Sequence, residues 1–144
     1  MNFIVKELRF ETVAPIQVID LSAQVRALVA QTGVSAGLVT LISHHTTAFV
    51  SINEFEPGLQ ADMVDFLTRI SPSSAGYRHD VATVDDRLNA HSHLVGLCLT
   101  ASQSIPIVDS KLLLGAWQSI LFIELDGPRL ARTLHLHVLG NGQA

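Results

Sequence analysis

Ile120-Leu121-Phe122-Ile123-Glu124-Leu125, then Asp126-Gly127-Pro128-Arg129, then Thr133-Leu134-His135-Leu136-His137-Val138-Leu139: this stretch decides the fold class. Its first part has the apolar, β-branched and aromatic content of a strand, and its middle is turn chemistry. The last part alternates, with Leu134, Leu136 and Val138 against Thr133, His135 and His137. Side chains on a strand point to opposite faces in turn, so both late histidines are expected on an outward face, solvated and not ligands.

Working outward, Trp117-Gln118-Ser119 opens that first strand. Before it, Ser104-Ile105-Pro106-Ile107-Val108 and Lys111-Leu112-Leu113-Leu114 read as strands around a turn at Asp109-Ser110, with Pro106 marking an edge or a bulge. Leu38 to Ile42 reads as a buried strand and Phe49 to Ile52 as another. Residues 2 to 19, punctuated by Pro15, give two more: Phe3, Val5, Leu8 and Phe10 set against polar positions, then Ile16 to Ile19. Three helices interrupt the strands. Asp20 caps one whose apolar positions are Leu21, Val25, Leu28 and Val29, closing on a left-handed Gly33. Pro57 opens another with Leu59, Met63, Phe66 and Ile70 inward, stopped by Ser71-Pro72. A third starts near Asn89, with Leu94, Leu97 and Cys98 at helical spacing. Gly140-Asn141-Gly142 reads as a frayed tail. Strands joined by short turns imply an α+β fold: an antiparallel sheet or sandwich flanked by two to three helices, one domain over residues 1–144.

Composition narrows the function. Hydrophobic residues make up 48% of the 144 and charged ones only 15%, which leads us to expect surface covered by neighbouring subunits. A net charge of −4 without a Lys/Arg cluster argues against nucleic acid as a partner. Charges follow the first residues where a signal peptide needs an apolar core, and no run is long enough to span a bilayer. A soluble, cytoplasmic protein that engages no membrane is expected. Cys98 is the one cysteine, which excludes an internal disulfide and a Cys-rich zinc site; its apolar surroundings suggest a buried thiol.

The chain has no P-loop, dinucleotide fingerprint, nucleophile elbow or two-histidine protease helix. It does have seven histidines. His45 precedes Thr46-Thr47, His79 lies between Arg78 and Asp80, and Asn89-Ala90-His91-Ser92-His93 follows the carboxylates Asp85-Asp86. Of the adjacent His44 and His45, an extended backbone turns only one to a given side. A His-x-His pair alone is more often solvated or hydrogen-bonded than ligating. Beside so many other polar groups it allows a site in which neutral imidazoles hold zinc or a similar divalent ion. Asp85, Asp86 and Glu54 could complete that shell or bind magnesium. The helix start near Asn89 would favour an anion.

Six ordered phrases then resemble one family: His45-Thr46-Thr47-Ala48, Ser51-Ile52-Asn53-Glu54, Tyr77-Arg78-His79-Asp80, Asn89 to Leu94, Leu114-Gly115-Ala116-Trp117-Gln118 and Glu124 to Arg129. Together they span nearly the whole chain and resemble the YjbQ-like proteins, described as secondary thiamine-phosphate synthases. The resemblance implies an α+β fold around antiparallel sheet, a homotrimer, and a histidine-lined, metal-occupied site near a subunit boundary. It implies coupling of a pyrimidine pyrophosphate to a thiazole phosphate. The chain departs from the family pattern at His44, Phe49, Ser110 and Ala116. The expectation is that His45, His91 and His93 ligate one ion, and that of the last two only one reaches it if the helix start is tight. His79, Asp80, Glu54 and Arg78 would be catalytic, with Asp80 setting the His79 tautomer. Asn89, Thr46, Asn53 and Trp117 would meet a small phosphorylated substrate. Two alternatives are a metal- or ligand-binding trimer without turnover and a phosphate-ester hydrolase.

Overall fold

The alternation that begins at Thr133 runs well past its apolar residues. In a computed structural model describing residues 1–142, it is part of β8 (Arg129–Gly142). The preceding elements are β1 (Asn2–Thr12), β2 (Gln17–Asp20), α1 (Ser22–Ala30), β3 (Val34–Ile42), β4 (Ala48–Asn53), α2 (Pro57–Ile70), a 3-10 turn (Arg78–Val81), α3 (Ala90–Gly96), β5 (Ser102–Val108), β6 (Lys111–Leu112) and β7 (Ser119–Glu124). The fold is α+β, as expected. One sheet has the order β1-β8-β3-β5-β6, the other β2-β7-β4, and every pairing is antiparallel.

One buried cluster joins both sheets to α1. It takes Val39 and Leu41 from β3, Val50 from β4, Ile120 and Phe122 from β7, Leu134, Leu136 and Val138 from β8, and Val25 and Val29 from α1. Burying each such side chain is worth about 1.5–3 kcal/mol, so this cluster is what holds the sheets together. α1 starts one residue later than the sequence implies: Leu21 and not Asp20 is its N-cap, while Asp20 accepts the Ser22 N–H at 2.8 Å from just outside the helix; Gly33 follows the helix at φ +69°, as expected. α2 begins at Pro57, with the Glu56 carboxylate accepting from Gly58 and Leu59. No helix among the described residues is long and apolar enough to cross a membrane.

Several faces differ from the sequence reading. In β1 the inward residues are Ile4, Leu8 and Phe10, while Phe3 and Val5 are 64% and 52% exposed. A period of two forces Leu8 and Phe10 to share a face with Ile4 and never with Phe3. In α2 it is Leu67 that is buried; Phe66 and Ile70 are largely exposed. In α3 the inward positions are Ala90, Ser92 and Val95, which leaves Leu94, Leu97 and Cys98 exposed. The expected tail is paired strand: Gly140 lies opposite Gly37 and Gly142 opposite Val34. His135 and His137 do face outward, but neither is simply solvated. His135 stacks on His44 at 4.1 Å and lies 3.4 Å from Glu7, and His137 meets the edge of Phe3 at 5.7 Å.

Candidate functional site

A cleft of about 440 Å³ opens where β3 and β7 end and β4 and β8 begin. Its walls include His44, His45, Thr46, Thr47, His79, Asp85, Asn89, His93, Asp126, Arg129 and Arg132. The loop between β3 and β4 carries the first four of these. Ser43 pins that loop, its hydroxyl donating to the Ala48 carbonyl at 2.6 Å and its N–H to the Ala101 carbonyl at 2.8 Å.

The floor is a buried ion pair. Arg132 donates to both oxygens of Glu124, at 2.6 and 2.5 Å, and to the Thr47 hydroxyl at 3.1 Å. Glu124 also accepts from the Thr12 hydroxyl and the Asp126 N–H. Burial pushes its carboxyl up, but the hydrogen bonds and charge of Arg132, with the Asp126 and Thr12 donors, outweigh that and hold it below its ordinary value. A buried pair is tolerable only when its lone pairs and protons are matched in this way. The sequence reading left Arg132 unremarked. The signal was there: Arg132 is in phase with Leu134, Leu136 and Val138, so the same alternation sends a guanidinium inward opposite the one carboxylate of an apolar strand.

Two of the wall histidines have their ring protons assigned by neighbours. His45 Nε2 accepts the Thr133 N–H at 3.0 Å, so its proton sits on Nδ1. Burial chiefly, and then the nearby Arg132 charge, lower its pKa below the ordinary 6.5, keeping the ring neutral. Asn89 gives its amide N–H to Asp126 at 2.9 Å, which turns the amide oxygen to His79 Nε2 at 3.1 Å. His79 therefore donates through Nε2 and keeps a lone pair on Nδ1. Arg129 closes the chain on Asp126. His93 stands edge-on to His79, ring centres 5.1 Å apart, and both rings also wall a neighbouring recess of about 530 Å³ that Arg78 lines.

The expected residues thus divide. His45, Thr46, His79, Asn89 and His93 share the cleft, and Arg78 is next to it. Asp80 does not set the His79 tautomer; it accepts the Ala90 N–H at 3.0 Å and holds the start of α3, while Asn89 orients the ring. His91 lines a different recess, with Ile16, Val64 and Ser71, because positions two apart on a helix diverge by about 200°. Asn53 and Glu54 sit at the far end of β4, where Asn53 pairs with Ser119 while Ala48 pairs with Glu124. At about 3.3 Å per residue that is about 20 Å from Thr47. Trp117, 77% exposed, precedes Ser119 at the same far end.

The expected ligand set does not fit this arrangement. His45 has spent its one lone pair on Thr133, His91 faces elsewhere, and among the described residues no three His, Cys, Asp or Glu side chains gather as a metal site. The cleft instead offers Nδ1–H of His45, the lone pair of His79, the His93 ring and the Arg129 guanidinium. It is equipped to donate to an oxyanion and to move a proton.

The family model described as UPF0047 protein, YjbQ-like, matches residues 6–141. A UPF0047 protein of Archaeoglobus fulgidus is 39% identical over 128 residues, covering 89% of this chain and 96% of its own, and the UPF0047 protein YugU of Bacillus subtilis is 31% identical over 94% and 98%. Among solved structures, a protein of unknown function from Sulfolobus solfataricus P2 superposes with a TM-score of 0.90 at 31% identity, covering 97% of this chain and 99% of its own. A hypothetical protein from Aeropyrum pernix K1 gives 0.89 at 37%, covering 95% and 98%. With this extent of match in sequence and structure, the chain belongs to the YjbQ-like UPF0047 family.

Proposed function

We propose that the cleft binds a small phosphorylated substrate and that the protein is a transferase of the thiamine-phosphate synthase kind. In this reaction the bond from the pyrimidine methylene carbon to the pyrophosphate oxygen breaks, its electron pair leaving with pyrophosphate. The thiazole nitrogen lone pair then forms the new bond to that carbon. Negative charge gathers on the leaving oxygen, so fixed N–H donors are the most useful catalytic feature. The observation that carries the reading is one cleft with its proton donors and acceptor assigned: His45 with its proton on Nδ1 and the Arg129 guanidinium as donors, beside His79, whose Nδ1 lone pair is fixed by Asn89 and Asp126. The choice of substrates is supported by the family resemblance. So is a divalent ion, zinc foremost or magnesium, although no three-ligand set is gathered for it among the described residues.

A homotrimer belongs to the same proposal. An apolar row crosses the outer face of the five-stranded sheet in register, Phe3 beside Leu139, Leu139 beside Leu38 and Leu38 beside Pro106. Its members are exposed.

The test is incubation of purified protein with the two phosphorylated precursors, in parallel with Asn89→Leu. That change releases the His79 ring, and we expect it to lower the rate about a hundredfold, the scale of a positioned acid or base. No thiamine phosphate above the variant's level would overturn the synthase reading. Inorganic phosphate released without coupling would point to a hydrolase, and binding without product to a carrier.

A further inference from the structure

A cavity of about 610 Å³ lies apart from the histidine cleft. It lies between α1, the β5–β6 hairpin and the loop that leads into β7, lined by Arg26, Val29, Ser110, Lys111, Leu112 and Gln118 among others. Ser119 to Glu124 of β7 separates the two, about 20 Å of strand.

The lining of this cavity has a consistent chemistry. Val29 is 2% exposed, and Leu112 and Leu114 pack on the core, so the base is apolar. The polar groups are nearly all donors. Arg26 and Lys111 are exposed and, among the described residues, form no ion pair. α1 contains no carboxylate that could sit one turn from Arg26, and no acidic residue among the described residues lines the cavity. Gln118 uses its amide oxygen on the Gly115 N–H at 2.7 Å, which leaves its NH₂ as donor. Two cations without a carboxylate in a confined space repel one another, a cost that an anion placed between them removes.

The backbone at the rim is also held in an uncommon state. Asp109 and Ser110 have φ of +48° and +62°, the two central positions of a hairpin whose flanks, Val108 and Lys111, are paired. A two-residue turn of this kind favours Asn-Gly or Asp-Gly, so Ser at the second position is strained. Ser110 is anchored there by its N–H to the Ser35 carbonyl at 3.0 Å. That turn places Ser110 and Lys111 side by side on the cavity wall.

We propose that this cavity is a second ligand site, for a small organic oxyanion, a carboxylate or a phosphate ester, on an apolar body. Arg26, Lys111 and the Gln118 NH₂ bind the anionic group, and Val29, Leu112 and Leu114 receive the apolar part. The proposal is independent of the reaction assigned to the histidine cleft.

The chain's one tryptophan reports on it, because Trp117 stands between the lining residues Ala116 and Gln118. Titration of the full chain with benzoate, with phenyl phosphate and with neutral benzyl alcohol, followed by Trp117 fluorescence, tests the proposal. A saturable change is expected with at least one anion, about tenfold tighter than with the alcohol, as a charge-assisted contact provides. The anion that binds more tightly tells carboxylate from phosphate. Arg26→Gln with Lys111→Gln should abolish that preference. Ala30→Phe, which keeps both cations and fills the space, should abolish binding altogether. Asn89→Leu should leave the signal unchanged, which separates this site from the histidine cleft. No saturable change, equal affinity for the alcohol, or an anion preference that survives the double substitution would overturn it.

Discussion

His45 and Glu124 both border the Arg132 guanidinium, and both are held in the form that suits it. The folded chain keeps His45 below 6.5, so the unfolded chain takes up that proton first. Stability therefore rises with pH through this window and declines as pH falls below about 6.5. Glu124 is held below its ordinary 4.5, so its contribution is fully present above 4.5 and is lost as pH falls through the folded value. Urea unfolding between pH 8 and 3.5 should show two successive losses. His45→Gln, whose amide oxygen can still accept the Thr133 N–H, should remove the upper loss and leave the lower. An upper loss undiminished in that variant would assign it to another group. At this scale the sequence singled out His45, His79, Asn89 and His93, which the fold brings to one cleft, because unusual polar phrases stand out from an apolar chain. It could not show that a backbone N–H takes the His45 lone pair, since Thr133 lies 88 residues away.

Among the elements, α3 places the cleft. It rests on β4 through a contact that only glycine permits: a Cβ on Gly96 would fall 2.3 Å from the Phe49 ring. Gly96→Ala forces one of the two to move and should cost about 1–3 kcal/mol, the range for overpacking a well-filled core. Phe49→Leu in the Gly96→Ala background should recover part of that loss, which denaturant midpoints would measure. If Gly96→Ala proved as stable as the parent, α3 would not be seated by this contact. The same helix shows why faces were harder to read than elements. Leu94, Leu97 and Cys98 have helical spacing, and so do the polar Ser92 and Val95; the second pair is inward, with Ser92 donating to the Leu125 carbonyl. Hydrophobicity alone ranks the wrong face first when a buried hydroxyl has a partner. In α2 the exposed Phe66 lines an apolar groove with Met63, Leu67 and Leu121.

For the whole molecule, the proposed trimer gives the outer row of Phe3, Leu139, Leu38 and Pro106 a reason. Light scattering should return about three times the 15.6 kDa of one chain, and Leu139→Glu should shift it toward the monomer. A monomer across a wide concentration range would end the assembly proposal. The antiparallel α+β class, the strand sequence and the places of the three helices were determined by the sequence itself, because alternation, helical periodicity and turn residues act over a few neighbours. Family membership was likewise written in six local phrases. Tertiary structure alone decided which phrases meet. It closed Glu124 on Arg132 and joined His79 through Asn89 to Asp126, while sending His91 to the other side of its helix and Asn53, Glu54 and Trp117 to the far end of a strand. Those outcomes depend on strand register and helix phase, which are set where chain segments pack against one another and not by the order of residues within any one of them.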